Sequence, residues 1–591
     1  MRTFKEIKYT VETGLGKHPC TLRIENVRLV NTFSKETYIT CIHIQDKRIV
    51  SIDPDVRLTS EIVMDAKGQY ALPGLIDSHM HFETTMLSPE ALAGLVVPRG
   101  TTTLCADLME IANVAGEEGF RALLEGSEKL PCRLLIEVSS RVPTAPGLET
   151  TGAVLDADAV SKIMNWEQSV SLGELDPSKI LFVKDEYIHK VADTLARRKI
   201  VNGHAIGRLG AELNTYASAG ISDDHECVTA EELTARLRVG MRVLVREGST
   251  ERNLDALIKE VITSKMPVEN LCFCTDDKHP DDICKEGHIN YNVRRSIELG
   301  LAPMDAISIA TINAARHFRM EDELGSITPG RLADILLVPD LEKMEPSVVL
   351  FEGKVVAENG VLKTEVPVPA YPDWILDTVH LCRKITPEVF HVPSKGTTDL
   401  VDATVIGLIP MQIINKRLCC RLPVKNGLVQ NDLSQDILKI AVIERYGKTG
   451  GVGVGFVKGF ELPRGALAFS TSHDHHNIVV VGADDEDMAI AVNDIAEMKG
   501  GVTAVCNGQV LAHMPLPIGG LMSDKPAGEV MEKLKLVNKA AADMGYPRPA
   551  PFMTLSFISL PTVPELGLTD LGLIDVENHC LIPVISKPKN P

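Results

Sequence analysis

Aromatic residues are scarce: two Trp, nine Tyr and 14 Phe make up 4% of the 591 residues. A base-stacking platform or a large aromatic interface therefore has little material to be built from. Basic clusters are missing too. Lys and Arg number 61 against 80 Asp and Glu, a net charge of −19, and no block of positive charge interrupts the acidic balance. That argues against a nucleic-acid or anionic-membrane partner, since both need concentrated cations. No apolar run approaches the ~18 residues of a spanning helix. The opening MRTFKEIKYT is charged and lacks the apolar centre of a secretory signal. The 13 cysteines form no CxxC pair, Cys272/Cys274 and Cys419/Cys420 being the closest approaches. Scattered thiols of this kind read as free cysteines in a reducing, cytoplasmic setting.

What remains is an ordinary globular composition, 44% hydrophobic and 24% charged. At ~150 residues per domain the length suggests three or four domains. Residues 20–65 and 327–366 alternate and turn like small β-structures. Between them, short apolar stretches at 102–106, 133–137, 180–183, 242–245 and 271–274 alternate with helical patterns such as 229–238 and 254–263. Strand and helix in alternation indicate parallel α/β units. Residues 73–325 number 253, matching the ~250 of an eight-fold barrel. The expected fold is α/β: a (β/α)8 TIM-type barrel over 73–325, with a small β-sandwich domain from 1–72 plus 326–368. An additional α+β C-terminal domain is expected over 374–591, after a proline-rich linker at 366–373 (VPVPAYPD) and ending in a tail from 581. The glycine cluster GKTGGVGVGF (447–456) lacks both GxxxxGK[ST] and GxGxxG, so a hairpin turn is expected there.

The sharpest local signal is ALPGLIDSHMHFETT (71–85). An apolar strand ends in His79 and His81, and period-two alternation puts both imidazoles on one face. Strand ends at the carboxyl face are where barrels place chemistry, and paired histidines suit a borderline metal such as Zn, Fe or Mn. Further candidates recur at Glu174, His204, His225 and Asp276, at intervals of 93, 30, 21 and 51 residues from His81 onward. One βα unit averages about 31 residues here. The candidates therefore fall at the ends of strands one, four, five, six and eight. His317, in AARHF, reads as a helix-face residue.

This arrangement resembles the amidohydrolase superfamily. Longer motifs are similar to the bacterial adenine deaminase family: VPTAPGLETTGA, NGHAIGRLGAELNTYASAGISDDHE, REGSTERNL, CTDDKHPDDICKEGHI, HDHHNIVVVGADDEDMAIAVN and LPIGGLMSD. The resemblance spans nearly the whole chain. It implies a hydrolase acting on C–N bonds in cyclic amidines, converting adenine to hypoxanthine and ammonia with a metal-activated hydroxide. It further implies two divalent ions, Mn or Fe with Zn as a further option. His79 and His81 bind one, His204 and His225 the other; Glu174 bridges and Asp276 completes the site. Asp276 moves protons, with Asp277 as the alternative. Glu83, Glu226, Asp277, Asp474 and His476 are expected substrate contacts, though Glu83 and Glu226 could equally fix a histidine. His473 and Asn477 share the HDHHN segment (473–477), read as a lid or wall over a small purine base. The expected assembly is a homodimer.

One departure stands out. The family run DPHEIANV is DLMEIANV here (107–114), with Met109 in the histidine's place and Glu110 kept. Methionine transfers no proton. Weakened adenine turnover, another aminopurine such as an N6-substituted adenine, or an impaired metal-binding relative are the alternatives this raises. A cytidine-deaminase-type site fails, because the HxE of His81 and Glu83 has no PCxxC beside it. A cyclic amidohydrolase on the same barrel would prefer lysine at the bridge, and Lys184, in ILFVKDE, is the rival that this resemblance raises against Glu174.

Overall fold

The computed structural model describes residues 2–54, 58–366, 370–394, 399–409, 414–562 and 565–585. Residues 367–369 of the expected linker and 586–591 of the expected tail lie outside them.

Strands from both flanks of the barrel meet in one nine-stranded sheet. Tyr70–Pro73 is the seam: it runs parallel to Cys20–Asn31 on one side and antiparallel to Ile335–Val338 on the other. Cys20–Asn31 pairs with Ser60–Asp65 through its first half and with Tyr70–Pro73 through its second, and its pairing with Glu36–Gln45 is irregular between Ile24 and Val27. The sheet encloses a single apolar cluster to which Ile24, Leu29 and Ile44 contribute from one flank and Ile335, Leu337 and Leu350 from the other. A helix not anticipated from the sequence, Phe4–Gly14, precedes it and is started by a Thr3/Glu6 capping box.

Between the flanks run eight parallel strands: Leu75–Met80, Thr101–Asp107, Arg133–Val138, Ser169–Leu175, Ile200–Gly203, Asp223–Asp224, Arg242–Arg246 and Leu271–Cys274. The first five form one ladder and the last three another. Backbone bonds close the ring at both gaps. Ser222 N donates to Val201 O at 2.8 Å, and Asp276 N donates to His79 O at 3.0 Å. The second closure lies at the carboxyl ends of strands one and eight, where it sets Asp276 against the His79–His81 pair.

The stretch at 180–183 is not a strand, contrary to its apolar character. Asp176 caps and Pro177 opens a short helix, Pro177–Leu181, after which Phe182 and Val183 are 64% and 67% exposed. The fourth strand is Ser169–Leu175, less apolar in composition but buried along its whole length.

A second nine-stranded sheet carries the C-terminal part, flanked by Asp485–Glu497, Ala527–Asp543 and Pro551–Ile558. The glycine cluster connects the hairpin strands Ile437–Ile443 and Val452–Lys458. Its backbone donors are already satisfied. The Glu444 carboxylate accepts from the N–H groups of Tyr446 (2.5 Å), Lys448 (3.2 Å), Thr449 (3.0 Å) and Gly450 (2.9 Å). Lys448 Nζ reaches the barrel side, donating to Thr151 O and Gly152 O at 2.7 Å each. Among the described residues no helix is long and apolar enough to cross a membrane.

Candidate metal centre

Each ligand candidate sits at or just beyond a strand end. His79 is the last but one residue of the first strand and His81 follows its end; Glu174 is near the end of the fourth; His204 and His225 come directly after the fifth and sixth; Asp276 lies two residues past the eighth. A single oxygen, Glu174 Oε1, faces four imidazoles: His79 Nε2 at 3.2 Å, His81 Nε2 at 3.2 Å, His225 Nε2 at 3.3 Å and His204 Nδ1 at 3.8 Å. Asp276 Oδ1 is 3.6 Å from His81 Nε2 and 3.9 Å from His79 Nε2.

These residues fit a metal centre on their own chemistry. Three groupings bring their donor atoms within 4.8 Å of one another: His79, His81, Glu174 and Asp276; Glu174, His204 and His225; and His225, Glu226 and Asp276. His79 Nε2, His204 Nδ1 and His225 Nε2 are buried without a hydrogen-bond partner. Buried polar nitrogens left unpaired are costly unless something else binds them, and imidazole with carboxylate suits Zn, Fe or Mn.

Outer partners fix the ligands. His79 Nδ1 lies 2.7 Å from Glu137 Oε2, and His81 Nδ1 3.0 Å from the Asp107 carbonyl and 3.5 Å from Glu110 Oε2. Arg246 grips two carboxylates at once: Nη1 donates to Glu226 Oε1 (2.9 Å) and Asp276 Oδ2 (2.7 Å), Nη2 to Glu226 Oε2 (3.0 Å). Arg141 pairs with Glu174 Oε2 and lies 3.4 Å from Asp474 Oδ2, tying the cluster to the C-terminal part.

Charge follows from these contacts. Burial opposes protonation of His79 and His81, but Glu137, Glu110 and Glu174 outweigh it and push both well above the usual histidine range. Burial likewise opposes ionisation of Glu226 and Asp276, yet Arg246 and the histidines hold both carboxyls below their ordinary values. Asp277 goes the other way, raised well above by burial and by the charge of Asp276.

A cavity of about 70 Å³ opens over the cluster. Glu226, Asp277 and Asp474 line it, as do Met109, Glu110 and His473. Glu83 and His476 do not. Glu83 is fully buried, its Oε1 accepting from Ile111 N at 3.0 Å; His476 is buried with its ring 5.8 Å from that of His473. Asn477 braces the loop, donating from Nδ2 to Thr150 O at 2.9 Å and accepting from Arg445 N at 3.2 Å. Lys184 is exposed before the helix Asp185–Ala196, and His317 pairs with Asp223 at 2.6 Å in the barrel interior. Glu137, Arg141, Arg246, Glu251, Phe557 and Leu560 are additions that the sequence reading missed.

The C-terminal contribution to this cavity bears on kinship. Residues 412–580 match the family model described as the adenine deaminase C-terminal domain, and 70–356 match the amidohydrolase family. The chain is 53% identical to the adenine deaminase of Desulforamulus reducens over 97% of each chain. The chain belongs to the adenine deaminase family. It is also 42% identical to adenine deaminase 2 of Carboxydothermus hydrogenoformans, over 98% of this chain and 100% of that one, and 38% identical to the adenine deaminase of Moorella thermoacetica, over 98% and 97%. The adenine deaminase C-terminal domain therefore supplies His473, Asp474, Phe557 and Leu560 to the wall facing the barrel's ligands.

Proposed function

We propose that the chain hydrolyses adenine to hypoxanthine and ammonia. One observation carries this reading: Glu174 Oε1 stands among four imidazoles in a buried pocket walled by the adenine deaminase C-terminal domain. His79 and His81 with Asp276 would hold one divalent ion and His204 and His225 the other, Glu174 serving both; Mn or Fe is favoured and Zn suits the same donors. Such ions, when bound, supply a water acidified towards neutral pH as the nucleophile.

The chain's own residues do the rest. Arg246 holds Asp276 by Oδ2, leaving Oδ1 turned towards the histidine pair as a proton acceptor. From there Asp276 passes the proton to a ring nitrogen or to the departing ammonia. Asp277, buried with Oδ1 unpartnered, donates to a ring nitrogen from its protonated form. Glu226 and Asp474, which line the cavity, orient the base, and Glu83 and His476 support the wall from behind it. Met109 gives the cavity an apolar side, which favours a second reading in which an N6-substituted adenine is accepted. Work in the cytoplasm on a free base, without nucleic acid or membrane, agrees with the −19 charge and with 13 cysteines that are all free thiols, and a homodimer is the assembly that the family leads us to expect.

The test is ammonia release from adenine, N6-methyladenine and guanine by Mn- and Fe-loaded protein. Adenine should yield hypoxanthine and ammonia in equal amounts. No ammonia from any of them, with metal bound, would leave a metal-binding relative without this activity.

A further inference from the structure

Beside the site lies a second, larger cavity of about 270 Å³, bounded by the loop carrying Ser249 and Arg252 and by the segment from Arg548 to Ile558. Among the described residues the two spaces share only Glu251 and Phe557 in their linings. Phe557 is thus the aromatic partition between them. It projects from the helix Pro551–Ile558, whose residues 553, 554 and 557 face the larger cavity while Phe552 and Leu555 are buried on other sides. The ring is held in place: it stacks on His473 with centroids 4.7 Å apart and planes 12° from parallel. The helix beneath is pinned to the same loop, His473 N donating to Ser556 O at 3.1 Å and Ser472 Oγ meeting Ser559 Oγ at 2.5 Å.

A purine undergoing attack at C6 must present that carbon to the ligand cluster. Its far edge, carrying N9, then points away from Glu174 towards the C-terminal wall of His473, Phe557 and Leu560. We propose that Phe557 is the residue that restricts the site to purines unsubstituted at N9, by blocking the passage into the larger cavity. This rests on the proposed deaminase activity and concerns only which purines the site admits. Space for an N9 substituent exists on the far side of the ring, with Arg252, Arg548, Asp282 and Ser249 there to meet polar groups. The pentose of a nucleoside is the chemical class it would hold.

The experiment compares adenine, 9-methyladenine and adenosine on metal-loaded wild-type, Phe557→Ala and Phe557→Leu proteins, with metal content and melting temperature measured on each. Wild type should turn over adenine and neither N9-substituted purine. Phe557→Ala should lose some efficiency on adenine and gain on 9-methyladenine, moving the ratio of their kcat/KM values by about tenfold or more, a change of the size pocket shape can impose. Phe557→Leu should fall between the two. The proposal is overturned if folded, metal-bound Phe557→Ala discriminates against 9-methyladenine as strongly as wild type, or if wild type already accepts it. Equilibrium dialysis with the same bases separates this from the activity itself. Should wild type bind adenine without deaminating it, the function proposed above fails, and binding of 9-methyladenine by Phe557→Ala alone would still uphold the partition.

Discussion

Two sets of buried histidines lie around the cavity, His81 and His473 lining it, and their charges are set in opposite directions. On the barrel side burial acts on His79, His81 and His225, but carboxylates prevail, and His225 is raised to about 9 by Glu174 and Glu226. On the C-terminal side burial prevails: His473 and His476 are lowered, and His475 is depressed to about 3 with His473 and Arg445 adding to the effect. Residue type and burial are alike. The difference lies in the partners: Glu137 and Glu174 stand 2.7–3.3 Å from the barrel histidines, whereas His473 has Glu110 and Asp474 only at 3.9 and 4.0 Å and Arg445 opposes charge on His475 and His476. One wall is built to hold charge and the other to stay neutral, an arrangement suited to gripping an uncharged base against a cation-rich floor.

Removing the carboxylate shared by the barrel histidines should break this contrast most severely. Glu174→Gln is expected to lower bound metal sharply and turnover by about 10⁴-fold or more; elemental analysis showing two metals per chain retained would refute its bridging role. Arg246→Ala comes next. It leaves Glu226 and Asp276 buried without their cation, and breaking such a pair costs about 3–5 kcal/mol, to be read from urea unfolding. Adding Glu226→Gln should recover part of that loss.

The neutral wall is probed by pH. His475 is about 3 when folded and near 6.5 when unfolded, so the unfolded chain binds the extra proton between those values. Its contribution to stability is complete above about pH 6.5 and is lost as pH falls towards 3, at up to roughly 1.4 kcal/mol per pH unit. His475→Asn should therefore flatten the decline in melting temperature between pH 7 and 5. The smallest effect is expected at the join of the two walls. Met109→His should raise adenine over N6-methyladenine by a few-fold, well short of the ~10²–10⁴ of a full acid–base group; an unchanged substrate profile would show that Met109 does not select the substrate.

The barrel and the cluster of candidate ligands at its strand ends were legible because both obey short-range rules. His79 lies on a strand and His81 just past its end, and Glu174, His204, His225 and Asp276 recur at roughly whole βα units. The fourth strand was harder: Ser169–Leu175 is polar enough to hide, while the apolar residues at 180–183 end and follow a short helix whose start was marked by Asp176 and Pro177. Arg141 and Arg246 escaped notice because their partners are 33 and 20 to 30 residues away, and Asp474 a further 333 from Arg141. A charged residue at the end of an apolar strand, as in RVLVR or RLLIEV, was the available signal. Glu83 shows the limit of alternation, since a one-turn 3-10 helix, Glu83–Thr85, begins at that residue and places it behind Glu110. Phe557 lies far from any motif, and only the packing of its helix gives it a role.

The glycine loop at 447–451 has a consequence of its own. Its donors converge on a carboxylate that belongs to the same chain and is tethered three residues upstream. A phosphate arriving from solution would compete with an anion that never diffuses away, whose effective concentration is set by a short tether and lies in the millimolar range or above. The loop is therefore occupied by its own counter-ligand and offers the phosphates of a nucleotide no free donors at this turn.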